Sequence, residues 1–166
     1  MRRLFQLQYE KWRLDPQLQI VQADVKVTID GEILLEESIC VDVGMPAMLY
    51  SRMHDTTPSR RAAPEEWRQA PFWVCGCGDP ACRQLFSLAV RHQAQAAGEE
   101  PMVELAEVEE HEGEEPRKTA RYRVPAAQYA AEVTKVGSAF ARFVAGRDYR
   151  PLLANTEAIV RDMLGE

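Results

Sequence analysis

Phe5, Leu7 and Tyr9 alternate with Gln6, Gln8 and Glu10, the period-2 pattern of a strand with one buried face. After the Asp15-Pro16 break, Val21, Ala23, Val25, Val27 and Ile29 alternate with Gln22, Asp24, Lys26, Thr28 and Asp30, which predicts a second strand. Asp30-Gly31 supplies the positive-φ pair favoured in two-residue hairpin turns. Beyond it Ile33, Leu35, Ile39, Val41 and Val43 resume the alternation, so residues 3–43 read as a meander. The pattern then fails: Pro46, Pro58, Pro64 and Pro71 punctuate residues 44–71, predicting a long loop with short helical turns around Met45 to Met53 and Glu65 to Arg68.

Residues 72–77 and 82–92 read as a hairpin closed by Gly78-Asp79-Pro80-Ala81. If Cys77 faces Cys82 across that turn, Cys75 faces Gln84 and Trp73 faces Phe86, and all three sulfurs project on one side. Strands from Met102 to Val108 and Ala120 to Val124 extend the sheet. Pro125 suits a first helical turn, and Tyr129, Val133, Val136, Phe140 and Phe143 form a helical stripe that Gly146 ends. Asn155 can cap a last helix carrying Ile159, Val160, Met163 and Leu164. The expected fold is a single α+β domain over residues 1–166. It comprises a mostly antiparallel sheet of about six to seven strands with two C-terminal helices packed on one face. Its parts are the meander 3–43, the loop 44–71, the cysteine hairpin and acidic strands 72–124, and the helices 125–165.

Charge narrows the classes of partner. The chain of 166 residues carries a formal charge of −6, which disfavours nucleic acid and anionic membrane surfaces, since both recruit clustered positive charge. No apolar run approaches the roughly 20 residues of a membrane span. Gln6, Gln8, Glu10 and Lys11 interrupt any signal-peptide core near the start, which reads as cytoplasmic. From Glu99 to Glu115 nine glutamates occur without a Lys or Arg among them. That run reads either as a solvated edge hairpin protected from edge pairing or as a docking face for a cationic protein. The loop adds Tyr50, Arg52, His54, Asp55, Arg60, Arg61 and Trp67 as candidate binding residues.

Three of four cysteines, Cys75, Cys77 and Cys82, fall within eight positions. Three readings are open. They can hold a structural zinc, with Cys40, His54 or His92 as fourth ligand. One can be a nucleophile or redox thiol, although the one local cation, Arg83, points to the other face. Or they are small buried apolar groups, the reading that the surrounding Trp73, Phe86, Leu88 and Val90 favour. Cys40 itself lies on the polar side of its predicted strand. Hydrolase elbows, phosphate loops, His-Glu-x-x-His and dinucleotide fingerprints are absent, which weighs against an enzyme.

The stretch Cys-Gly-Cys-Gly-Asp-Pro-Ala-Cys, the strand Leu85 to Val90, the acidic strands and the Val-Pro-Ala-Ala-Gln-Tyr helix start resemble a group of small bacterial proteins of unassigned function. Those proteins share a Cys-x-Cys-Gly-x-x-x-Cys hairpin. Some similar acidic α+β proteins look like immunity partners of secreted bacterial toxins. The resemblance implies a non-enzymatic protein-binding module and lends no catalytic residue.

Overall fold

The computed structural model describes residues 4–59, 62–74, 85–109, 117–151 and 156–166. Strands β1 (Phe5–Asp15), β2 (Ile20–Ile29) and β3 (Glu32–Cys40) form the expected antiparallel meander. Asp30 and Gly31 both have positive φ, 51° and 81°, as a hairpin turn that continues the strand twist requires. Ala23, Val25, Val27 and Ile29 all point into the core, so the period-2 reading of β2 holds along its length.

Two bulges modify the expected pattern. On β1, Lys11 and Trp12 together oppose Ala23 alone, with Lys11 at φ 53°. The bulge brings the Trp12 ring to 6.0 Å from Phe143 and 6.4 Å from Phe140. On β3, Thr28 pairs with Ile33 while Val27 pairs with Leu35, leaving Leu34 as an extra residue. Ile33, expected on the buried face, is therefore turned outward and half exposed: one inserted residue reverses the facing of those before it.

Beyond β3 the sheet continues through β4 (Trp73–Val74) and β5 (Leu85–Phe86). Cys40 pairs with Val74, and Trp73 pairs with Phe86 at 5.4 Å between rings, which is the register expected for this hairpin. The predicted 82–92 strand breaks at Ser87 into β5 and β6 (Leu88–His92). The buried Ser87 joins the two halves of the molecule: its hydroxyl accepts the Phe72 N–H and its carbonyl accepts the Val108 N–H. From there β6, β7 (Met102–Glu109) and β8 (Arg117–Pro125) form a second antiparallel sheet. Counted as one bent strand, β5 and β6 bring the total to seven.

Helix α1 (Met45–Tyr50) and a 3₁₀ turn (Pro64–Gln69) occupy the region read as loop with helical turns. Gly44 opens α1 against the chain before β4, where an added Cβ would lie 2.1 Å from the Pro71 carbonyl oxygen. Helix α2 (Ala126–Val144) starts one residue later than expected, with Pro125 as its N-cap, and buries Tyr129, Val133, Val136 and Phe140. It packs on β1, β7 and β8, and its Glu132 and Gln128 side chains accept the Leu7 and Leu4 N–H groups along β1. Those side chains cover an edge that would otherwise present bare backbone donors. Helix α3 (Thr156–Met163) packs on α1 and α2, burying Val160; its expected cap, Asn155, lies outside the described residues. Arg52 ties the three helices, donating to Leu49 O, Thr134 Oγ1 and Met163 O. Among the described residues no helix is long and apolar enough to cross a membrane.

Candidate functional site

Cys75, Cys77 and Cys82 lie outside the described residues, as do Arg60, Arg61 and Glu110 to Glu115. The three candidates for a fourth metal ligand are described, and each has a hydrogen-bond contact within the fold. His92 Nε2 lies 2.9 Å from the Ser51 carbonyl oxygen; a carbonyl only accepts, so Nε2 carries the proton and the lone pair is on Nδ1. His54 stacks on Tyr50 with centroids 4.1 Å apart, its Nδ1 facing the Tyr50 carbonyl. Cys40 is buried, contrary to its expected place on an open polar face. Among the described residues no group of three or more His, Cys, Asp or Glu could hold a metal ion.

The burial of Cys40 has a specific cause. After α2, Tyr149 returns over this end of the sheet and donates its phenol to Asp42 Oδ2 at 2.6 Å, while the Cys40 thiol donates to Asp42 Oδ1 at 3.0 Å. Burial raises the Asp42 carboxyl above its ordinary value; the bonds from Cys40, Tyr149 and the backbone N–H of Val21 pull the other way. Burial, reinforced by the Asp42 charge, also pushes the Cys40 thiol and the Tyr149 phenol far up. Cys40 is held as a thiol whose proton is bonded to Asp42, which leaves no thiolate free for nucleophilic attack. The cluster is a sealed polar tie between the end of β3 and the chain after α2.

The second polar assembly is open. Tyr50, at the end of α1, is flanked by His54, by Trp67 edge-on at 5.8 Å, and by the Arg68 guanidinium 5.3 Å from its centroid. Arg68 also stacks on Trp67 at 4.4 Å. Met53, whose N–H donates to the Tyr50 carbonyl, is 76% exposed although large and apolar. Helix α1, buried from Met45 to Leu49, and the 3₁₀ turn hold these side chains on a rigid base. The backbone of Thr56 bridges to Val90 in both directions at 2.9 Å, and Asp55 accepts the His92 N–H at 2.7 Å, so the strap Asp55–Ser59 is fastened to β6. Between strap and aromatic cluster lies a cleft of about 590 Å³ lined by Tyr50, Asp55, Thr56, Thr57, Arg68 and Gln69 among others.

The acidic strand is carried on β7. Glu104 faces Arg121 at 3.9 Å, whereas Glu107 lies near Glu32 of β3. Partial burial, and then the Glu32 charge, raises the Glu107 carboxyl.

Reading the loop by residue type finds Tyr50, His54, Asp55 and Trp67, which the fold brings to one face. It misses Thr56, Arg68, Asp42 and Tyr149. A charged residue between Val41 and Val43 was the available signal for Asp42, because a lone acid in an apolar run is either bulged out or paired inside. Comparison with protein families, with characterised proteins and with solved structures finds no match to this chain.

Proposed function

We propose that this protein is a non-enzymatic binding module that recognises another protein through the face formed by Tyr50, Met53, His54, Trp67 and Arg68. The carrying observation is composition in place: Tyr, Trp, Met and Arg are the residue types enriched where proteins meet, and here they stand together, solvent-facing, on a buried helix and a pinned turn. A preformed aromatic platform loses little side-chain entropy on binding, which is where such faces gain affinity. The partner we propose is cationic, because the chain as a whole carries −6; that attraction is long-range and separate from the aromatic face, whose own charged residue is Arg68. An immunity-type pairing with a bacterial toxin is the form that the hairpin resemblance suggests.

The test is capture of a partner from native extract by immobilised wild type and by Tyr50→Ala/Trp67→Ala/Arg68→Ala side by side, at rising salt. The expected result is a protein held by wild type, released as salt rises, and absent from the triple variant. Equal retention by the triple variant would place binding elsewhere.

A further inference from the structure

Two edges of the sheets are covered by other parts of the chain, and a third is not. Along β1 the Gln128 and Glu132 side chains of α2 accept the Leu4 and Leu7 N–H groups. Beside β6 the strap stands in for a further strand, with Thr56 bonded to Val90 in both directions. β8 pairs with β7 on one side, and among the described residues nothing bonds the backbone on its other side. An uncovered edge presents a row of N–H and C=O groups that an extended chain can join as an added strand.

This edge is firmly held. Tyr122 and Val124 pack inward on the core, and Arg121 and Arg123 turn outward, both exposed. In register, Arg121 stands opposite Ala106 and Arg123 opposite Glu104. Gln93 Oε1 accepts the Arg123 Nε–H at 2.6 Å, which orients that guanidinium. Arg121 reaches Glu104 only at 3.9 Å and keeps its side chain 61% exposed.

Charge decides which strand the edge accepts. β8 carries Arg117, Lys118, Arg121 and Arg123 and no acidic residue, in a chain whose formal charge is −6. Cations on an edge guard it against strands of the same charge. A second copy of β8 is such a strand: antiparallel pairing centred on Tyr122 sets each Arg121 directly against the Arg123 of the other copy. The same arginines attract a strand with carboxylates at alternate positions.

We propose that β8 is the docking edge for an extended acidic segment of a partner protein, which joins the sheet through backbone hydrogen bonds and lays its carboxylates along Arg121 and Arg123. Because the net charge of the chain is negative, this attraction acts at contact and not as long-range steering. The edge is distinct from the Tyr50 and Trp67 face, and either can bind without the other.

Hydrogen exchange of the intact chain, followed residue by residue during titration with an end-blocked peptide alternating glutamate and valine, tests it. Alternate amides of β8 should gain protection to saturation. A peptide alternating lysine and valine should give none. Arg121→Gln/Arg123→Gln should weaken the glutamate peptide roughly tenfold or more, the scale of one lost charge-assisted hydrogen bond. Methylating the edge-facing nitrogens of the glutamate peptide should abolish the protection, a result that depends on no protein variant. No saturable protection on β8, an equal response to the lysine peptide, unchanged affinity in the arginine variant, or undiminished binding of the methylated peptide would each overturn the proposal. So would protection of β8 that grows with protein concentration in the absence of peptide, since the edge would then belong to a second copy.

Discussion

The polar groups around Asp42 and those around Thr56 sit at opposite extremes of the same rule. At Asp42 both carboxylate oxygens are taken, by a thiol and a phenol, and the residue is 1% exposed. Thr56 is nearly as buried, yet its hydroxyl has no partner among the described residues, and an exposed guanidinium stacks on rings nearby. Burial alone therefore does not separate the two in this molecule; satisfaction does. A buried polar group whose bonds are complete holds the fold together, whereas one whose bonds are incomplete carries the cost of its lost hydration.

Breaking the sealed cluster should have the largest effect. Asp42→Ala leaves the Tyr149 hydroxyl, the Cys40 thiol and the Val21 N–H to be satisfied afresh, and should cost about 3 kcal/mol in urea-induced unfolding. Gly44→Ala should cost about 2–3 kcal/mol by the same measurement, since its methyl meets the Pro71 and Phe72 backbone and not a yielding side chain.

The pH dependence of the cluster follows from the raised Asp42 carboxyl. A group whose native-state value is raised holds its proton more firmly in the native state. Its contribution is complete below the unfolded-state value and is lost as pH climbs through the native-state one. Wild type measured against Asp42→Asn should accordingly lose stability as pH rises above the ordinary carboxylate range. A difference that is flat with pH would mean that the hydrogen bonds to Asp42 cancel its burial.

On the open face the expected effects on stability are small and those on binding large. Arg68→Ala should stay within about 0.5 kcal/mol of wild type, because Arg68 is exposed, and Trp67→Ala should cost about 1–2 kcal/mol, because its ring is half-buried against Tyr50. If either unfolds the protein, the face is part of the core, and the contrast with Asp42 disappears.

How much of this was legible beforehand depends on how local the cause was. The meander could be read because the buried face of β2 and the Asp30-Gly31 turn are set by neighbours in sequence. The Trp73–Phe86 register could be read for the same reason, the two residues standing close together in sequence. Ile33 was misplaced because a bulge at Leu34 leaves no mark in an alternating pattern that also fits an unbroken strand. Cys40 was misplaced because its cover, Tyr149, arrives from more than a hundred residues away. Thr56 and Arg68 carried no signal at all: the first acquires meaning from its bridge to Val90, the second from the rings it rests on.

The most direct test of the contrast between the two clusters is the unfolding free energy of Thr56→Val in urea. An unpaired hydroxyl predicts that the variant is more stable than wild type by about 1 kcal/mol. A variant less stable than wild type by a similar amount would show that the Thr56 hydroxyl is already bonded, and the contrast between the two clusters would fall with it.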